Sequence, residues 1–286
     1  ILALSLVATS VPAVNSFSGS DKAEASETEV SVTSGSSIVK EPLGEGEVEV
    51  AKSQYTNPIG GYDNNGKLTY GGDPSAMVDG DTVYLYTGHD VSTDQEVNDK
   101  VYDIDGWICY STKDLVNWKY EGEIMSAKDI SWATGSTSAW AAHNGKYYFY
   151  YCTWDATSGN GQQSIGVAVS DSPTGPFKDL GKPVVSGKVT DFGTESSTWN
   201  DIDPTVWIEK DDKGEEHRYL AWGNGNYYIC ELNDDMISVK DQNGDGKITG
   251  GTSTKTADVI QKTSVTSYTE APWLYRRQDA NGNYYG

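Results

Sequence analysis

The stretch Asp201-Ile202-Asp203-Pro204-Thr205-Val206-Trp207 places an Asp-Pro pair directly before an apolar, β-branched run. The same layout occurs upstream at Asp73-Pro74 and downstream at Glu270-Ala271-Pro272. A polar, Gly-containing turn and a second run rich in aromatic residues follow each acid, which predicts two antiparallel strands joined by a hairpin. Three acids at corresponding positions of a repeat can meet in space only if the repeats surround a common axis. This layout therefore decides the fold.

One more unit of the same kind, the second in chain order, begins at Trp140, so that the four units start at residues 73, 140, 203 and 270. Between these points the chain consists of short β-branched or aromatic runs bounded by Asp-Gly, Asn-Gly and Gly-rich turns. About four short strands in a repeat of this length are typical of a propeller blade, whose first strand lines the central channel. The sequence predicts an all-β propeller, and a β-sandwich with repeats that are alike by chance is the alternative.

The chain of 286 residues divides into three parts by composition. Residues 1–16 have the apolar character of a secretory signal peptide whose charged start is missing. Residues 17–54 are rich in Ser, Glu, Gly and Thr and are predicted to form a low-complexity linker or tail. Residues 55–286 carry the predicted propeller domain, incomplete at its C-terminal end. The protein is therefore expected to be secreted.

Composition narrows the class of partner. A formal net charge of −21 argues against nucleic acid and against an anionic membrane surface, because phosphate binding needs clusters of Lys and Arg. The 19 Tyr and 9 Trp residues suit half-buried strands and neutral, sugar-like ligands. The three cysteines, Cys109, Cys152 and Cys230, lie in apolar runs and cannot all pair within one chain. They are predicted to be buried, small apolar side chains.

Several runs of the chain resemble glycoside hydrolase family 43. They occur in all four units: residues 73–75, 86–90, 110–118, 171–177, 202–206, 232–236 and 269–274. The resemblance covers residues 55 to 286 and includes three acid motifs in the right order. It implies a five-bladed β-propeller, of which about three and a half blades are present. It also implies activity on arabinose- and xylose-containing polysaccharides of the plant cell wall.

The resemblance assigns the acids. It implies that Asp73 is the general base and Glu270 the general acid of an inverting reaction. Asp203 would be a pKa modulator that acts by like-charge proximity and also orients the acid. Inversion needs about 6.5–9.5 Å between the base and the acid, which leaves room for the attacking water. Asp203 is preferred over Asp201 because it precedes the proline and matches the motif. This chemistry requires no cofactor.

Six further residues are candidate sugar contacts, because they lie at the ends of inner strands where the acids are expected: Trp140, Ala141, His89, Asp90, Trp154 and Asn224. Trp140 takes the place of an acid in the second unit, where an indole offers an apolar face to a pentose ring. Packing in the core is the alternative for Trp140.

One stretch resembles the start of a calcium-binding loop. Asp241, Asn243 and Asp245 supply oxygen atoms at positions 1, 3 and 5, and Gly246 stands at position 6. Position 12 is Thr252 rather than a bidentate Glu, and no helical periodicity flanks the stretch. The three residues are candidate ligands of a structural calcium ion at a hairpin tip in the outer half of the third blade.

The matching runs look most like those of the arabinofuranosidase and xylan-debranching members of the family. The resemblance thus implies an inverting glycoside hydrolase that removes L-arabinofuranosyl residues from arabinoxylan or arabinan, and the signal-like N-terminus implies that it is secreted. A β-xylosidase or an endo-arabinanase of the same family is the nearest alternative, because sequence pattern does not fix the loops that shape a pocket or a groove. A non-catalytic carbohydrate-binding propeller is the alternative from another class. The three retained acids speak against it, whereas the incomplete fourth blade and the missing fifth blade speak for inactivity of this chain as it stands.

Overall fold

The computed structural model is all-β and is built mainly from antiparallel sheets. It describes residues 63–98, 103–133, 139–143, 146–157, 162–191, 199–263, 265–282 and 284–285. The predictions for residues 1–16 and 17–54 lie outside these ranges. Helical structure in the described part is confined to α1 (Asp94–Asn98), α2 (Gly187–Thr190) and a 3₁₀ turn at Ala127–Asp129. None of the described helices has the length and apolar character needed to cross a membrane.

The first two sheets have four strands each, joined in chain order with antiparallel neighbours. Sheet one contains β1 (Ser75–Asp79), β2 (Thr82–Asp90), β3 (Ile104–Thr112) and β4 (Lys119–Ser126). Sheet two contains β5 (Ala139–His143), β6 (Tyr147–Trp154), β7 (Gln163–Ser170) and β8 (Lys178–Asp179). Both sheets have the four strands that the repeat predicts.

The third sheet has five strands and departs from that pattern. Its strands are β9 (Thr205–Lys210), β10 (Glu216–Trp222), β11 (Tyr227–Glu231), β12 (Gly250–Gly251) and β13 (Val259–Lys262). The long segment between β11 and β13 adds β12, which pairs in parallel with β13 at the outer edge. The hairpin of β14 (Arg277–Gln278) and β15 (Tyr284–Tyr285) follows.

Two hydrophobic cores lie between the sheets, and β6 contributes to both. Phe149 and Tyr151 pack with Trp107 of sheet one, with ring centroids 5.7 and 5.4 Å apart. Tyr150 and Cys152 point to the opposite face and belong to a core shared with sheet three. Alternate residues of a strand face opposite sides of its sheet, so the aromatic run of β6 is apolar on both faces because both faces are covered.

The first strands of the three sheets adjoin one another. Strand β1 lies beside β5, and β5 lies beside β9. They begin at Ser75, Ala139 and Thr205, 64 and 66 residues apart. Face-to-face stacking with neighbouring first strands is the relation between successive propeller blades. The residues that precede β1 and β9 therefore lie at the same end of these sheets.

The cysteines support the interpretation as apolar core residues. Cys109 of β3, Cys152 of β6 and Cys230 of β11 are all buried, and none of them forms a disulfide. Burial raises the pKa of the Cys109 and Cys230 thiols, which keeps them protonated. The prediction that they act as small apolar side chains is confirmed.

Candidate active site

Two of the predicted acids occupy the same backbone position in sheets one and three. Asp73 lies two residues before β1 and Asp203 two residues before β9, and a proline follows each of them. Their φ angles are 50° and 57°, in the left-handed region that a residue with a side chain rarely adopts. The shared turn sets both carboxylates at the same end of the molecule.

The third acid is offset by one residue from this pattern. The corresponding left-handed residue is Ala271, with φ 55°, which precedes Pro272. Glu270 therefore lies one position earlier than the repeat alignment indicates. Glu270 itself forms an isolated antiparallel bridge with Asn224.

Asp73 is positioned by the segment that precedes it. Gly88 donates its backbone N–H to the Gly72 carbonyl and Asp90 donates to the Tyr70 carbonyl, both at 3.1 Å. Burial, followed by the negative charge of Asp73, raises the pKa of Asp90. Asp73 itself is open to solvent on one side, yet the protein atoms around its carboxyl raise its pKa. A raised proton affinity suits a general base that works near neutral pH.

Tyr268 lies near both of the other acids and was not identified from the sequence. Its hydroxyl donates a hydrogen bond to the Gly223 carbonyl at 2.7 Å. Burial raises its pKa, and the negative charges of Asp203 and Glu270 raise it further. The phenol is therefore protonated, with both carboxylates in its neighbourhood. Its only sequence signal is an aromatic residue two positions before Glu270.

A short segment after β10 joins the entries to β9 and to the fourth unit. We call residues 222–225 the connector. On one side, Gly223 donates its N–H to the Ile202 carbonyl at 2.8 Å and Asn224 donates to the Asn200 carbonyl at 3.2 Å. On the other side, Gly225 donates to the Thr269 carbonyl at 2.5 Å. The connector thus fixes the backbone next to Asp203 relative to the backbone next to Glu270.

Gly223 is required for the shape of the connector. Its φ is +135°, and a Cβ atom there would lie 1.8 Å from the Asn226 carbonyl oxygen. We expect Gly223→Ala to lower the free energy of unfolding by at least about 3 kcal/mol, measured by urea denaturation, because strain and a backbone clash add up. The matched control is Gly214→Ala, at φ +83° with nothing within 4 Å of its Cβ. Equal losses in the two variants would contradict this prediction.

Asp201, two residues before Asp203, is buried rather than solvated. Its side chain accepts hydrogen bonds from the Trp222 indole N–H and from the Thr190 hydroxyl, both at 2.7 Å. The residue is 3% exposed. Burial raises its pKa from 3.8 to about 6, although both hydrogen bonds act in the opposite direction. The choice of Asp203 as the residue nearer the reaction is consistent with this burial.

The raised pKa of Asp201 makes stability depend on pH. The folded protein binds this proton more tightly than the unfolded chain, so the contribution is greatest below pH 3.8 and falls as the pH rises through about 6. We expect the unfolding free energy of wild type, relative to Asp201→Asn, to fall by about 2 kcal/mol between pH 4 and 7. Urea denaturation of both proteins across this range measures the difference. A constant difference would show that Asp201 does not titrate here.

The candidate sugar contacts are only partly described. Trp140 and Ala141 lie in β5, but their side chains lie outside the described residues. Trp140 is the second residue of its strand, whereas Asp73 and Asp203 precede theirs. His89 and Asp90 end β2, and His89 Nδ1 lies 2.7 Å from a carboxylate oxygen of Asp105.

An aromatic pair lies at the same end of the molecule. Trp154 ends β6 and contacts Trp199 edge to face, with ring centroids 5.1 Å apart. Trp199 is 43% exposed and lies four residues before Asp203 in the chain. An exposed indole so close to Asp203 in the chain offers a stacking face for a sugar ring. The sequence analysis named Trp154 but missed Trp199.

The predicted calcium loop is folded by its own backbone. The Asp241 carboxylate accepts N–H donors from Gly244 and Gly246, both at 2.7 Å. These hydrogen bonds lower the pKa of Asp241. Asn243 accepts from the Asp245 amide at 2.9 Å, and both of these residues are exposed. Calcium binding by Asp241, Asn243 and Asp245 stays a prediction.

A second group of metal-ligating side chains lies at the far end of β9 from Asp203. Single ligand atoms of Asp211, Glu215 and His217 lie within 4.8 Å of one another. His217 Nδ1 lies 2.9 Å from a Glu231 carboxylate oxygen, which raises the pKa of the imidazole. Strand β9 separates this group from the acids, so it takes no part in their chemistry.

Comparison with known proteins gives one consistent result. The family model described as glycosyl hydrolases family 43 matches residues 55–285. Xylosidase/arabinosidase 43A of Humicola insolens is 34% identical over 165 residues, which are 54% of this chain and 45% of that protein. Arabinoxylan arabinofuranohydrolase of Paenibacillus polymyxa is 30% identical over 174 residues, 54% of this chain and 25% of that protein. The chain thus matches less than half the length of these two relatives.

A solved structure shows the same similarity in three dimensions. It is the α-L-arabinofuranosidase of Clostridium thermocellum, with a TM-score of 0.52 and 32% sequence identity. The match covers 74% of this chain and 61% of that one.

Proposed function

The chain belongs to glycosyl hydrolases family 43, and from this membership we propose that it is a secreted, inverting hydrolase that removes L-arabinofuranosyl residues from arabinoxylan or arabinan. One observation carries the proposal. The left-handed turn before a proline recurs at Asp73, Asp203 and Ala271, and an acid lies at or directly before each of these turns. Strained non-glycine residues cluster at functional sites, and here the strain repeats together with the acids.

We propose five blades for the complete domain. We assign the three sheets to the first three blades and the hairpin of β14 and β15 to the start of the fourth blade. Arg276 of the fourth unit pairs with Glu209 of β9 at 2.9 Å, which supports its place beside sheet three. The remaining blades would complete the wall around the acids.

The three acids have complementary roles in the proposed reaction. Asp73 takes a proton from a water molecule, whose oxygen forms a bond to the anomeric carbon. The bond from that carbon to the glycosidic oxygen breaks, and Glu270 donates its proton to this oxygen. Asp203, the third carboxylate, orients Glu270 in this scheme. One water molecule is consumed, and the configuration at the anomeric carbon inverts.

The substrate class is a neutral plant cell-wall polysaccharide. The acidic chain does not attract an anionic polymer, whereas a neutral glycan carries no charge to repel. The exposed face of Trp199 beside Trp154 suits stacking of a pentose ring. The names of two similar proteins, an α-L-arabinofuranosidase and an arabinoxylan arabinofuranohydrolase, support arabinofuranose as the released sugar. The name of a third similar protein, a xylosidase/arabinosidase, makes xylose the second candidate for the released sugar.

A release assay on the full-length protein tests the proposal. The substrates are nitrophenyl α-L-arabinofuranoside, nitrophenyl β-D-xyloside, arabinoxylan and linear arabinan. Arabinose from the first substrate and from arabinoxylan is the expected result. Xylose release alone would favour a β-xylosidase, and oligosaccharides from linear arabinan would favour an endo-arabinanase. Binding of xylan without any release would make the protein a carbohydrate-binding module.

A further inference from the structure

Asp201 is a buried carboxyl group to which the reaction described above gives no role. Two hydrogen bonds satisfy it, one from Trp222 of β10 and one from Thr190 of α2. A buried carboxylate is expensive for a protein to keep, because burial favours the neutral form. An amide or an apolar group would fill the same space. The question is therefore what Asp201 holds in place.

The contacts of Asp201 lead to both acids of this region. Trp222 is the first residue of the connector, so the bond from its indole to Asp201 fixes the point where the connector leaves β10. The next residue, Gly223, binds the Ile202 carbonyl, directly before Asp203. Asn224 bridges Glu270, and Gly225 binds the Thr269 carbonyl, directly before Glu270. The Tyr268 hydroxyl adds a further bond to the connector at Gly223.

We propose that Asp201 is a positioning residue that sets the spacing of Asp203 and Glu270 by anchoring the connector through Trp222. The proposal rests on the proposed function for the roles of the two acids. Asp201 touches no substrate in this scheme. Asp201 restrains the connector at its first residue, Trp222. Asp201 also lies in the same short segment before β9 as Asp203. A displacement of Trp222 therefore moves the backbone beside both carboxyl groups together.

The other hydrogen bond makes the anchor rigid. Thr190 is 3% exposed, and its hydroxyl also lies 2.9 Å from the Gly187 carbonyl. A Cβ atom at Gly187 would lie 3.3 Å from a carboxylate oxygen of Asp201 and 2.4 Å from the Gln163 carbonyl oxygen. Helix α2 thus packs closely against Asp201 and leaves it little room to move. Asp201 is held from one side by α2 and holds the connector on the other.

The test replaces Trp222 by Phe in the full-length protein, which removes the indole N–H and keeps most of the apolar ring. We expect kcat to fall about 10- to 100-fold on the pentoside that wild type hydrolyses, because small displacements of catalytic groups are costly. We expect KM to change by less than about twofold, since substrate contacts are kept. Thr190→Val, which removes the other hydrogen bond, is a second variant with the same expected direction. Asp201→Asn keeps an acceptor for Trp222 and should retain kcat within about threefold.

The matched control is Trp132→Phe. The Trp132 indole N–H also donates to a carboxylate, that of the half-buried Asp179, at 3.3 Å, but Trp132 lies in the core between sheets one and two. The Trp132→Phe variant should have a lower free energy of unfolding than wild type and an unchanged kcat. Equal losses of kcat in Trp222→Phe and Trp132→Phe, or unchanged kcat in Trp222→Phe, would overturn the proposal and leave Asp201 a purely structural residue.

Hydrogen–deuterium exchange tests the anchoring of the connector without requiring enzymatic activity. In Trp222→Phe, the amides of residues 223–225 and 268–270 should exchange faster than in wild type, and they should be unchanged in Trp132→Phe. If wild type released no sugar, the proposed function would fail, but the exchange would still decide whether Asp201 anchors the connector. Unchanged exchange in these two segments would overturn the anchoring.

Discussion

Replacing Glu270 by Gln is expected to lower kcat/KM on arabinoxylan by about 10²- to 10⁴-fold, the range that a general acid contributes. The sugar oxygen of a natural substrate is a poor leaving group and must be protonated as its bond breaks. Gln cannot donate this proton, although it has the same shape as Glu. The measurement is arabinose release from arabinoxylan by the full-length wild type and variant.

The leaving group separates loss of the acid from general damage. A dinitrophenyl arabinofuranoside has a leaving group that needs no proton, so its hydrolysis should fall far less than that of arabinoxylan. Glu215→Gln is the matched control, because Glu215 is an exposed acid at the far end of sheet three. It should be as active as wild type on both substrates. Equal losses on both substrates in Glu270→Gln would contradict the role as general acid.

The fold was predictable because its signals are local. An Asp-Pro pair marks the entry to β1 and the entry to β9, and the apolar run that follows shows where each of these strands begins. Strand β12 was not predictable, because Gly250 and Gly251 carry no strand pattern and form it only by pairing with β13. The sequence also does not show which face of β6 packs against sheet one and which against sheet three, because both faces are apolar.

The candidate site was predictable where a motif carries it and unpredictable where packing decides it. Asp201 and Asp203 are two residues apart, and no sequence rule states which of them is buried. The structure decides it through the indole of Trp222, which is distant in the chain. The one-residue offset of Glu270 was hidden for a similar reason: Ala271 has no chemical signal, and only its backbone angle shows the correspondence.

Replacing Asp73 by Asn is expected to have the other large effect, a loss of kcat/KM of about 10²- to 10⁴-fold on every substrate. Inversion requires a base to activate the attacking water whatever the leaving group is. The loss should therefore be similar for arabinoxylan and for the dinitrophenyl arabinofuranoside, in contrast to Glu270→Gln. Asp212→Asn, an exposed acid in the turn between β9 and β10, is the control.

The pH dependence and the product identify the role of Asp73 further. A base acts when it is deprotonated, so kcat/KM of wild type should rise with pH through the pKa of Asp73. Burial raises that pKa above its usual value of 3.8, so the acid limb should lie above this pH. An inverting reaction on an α-arabinofuranoside first gives the β-anomer, which proton NMR detects before mutarotation. Initial formation of the α-anomer would mean that the configuration is retained. Asp73 would then act as a nucleophile and not as a base that activates water, which would contradict the role proposed for it.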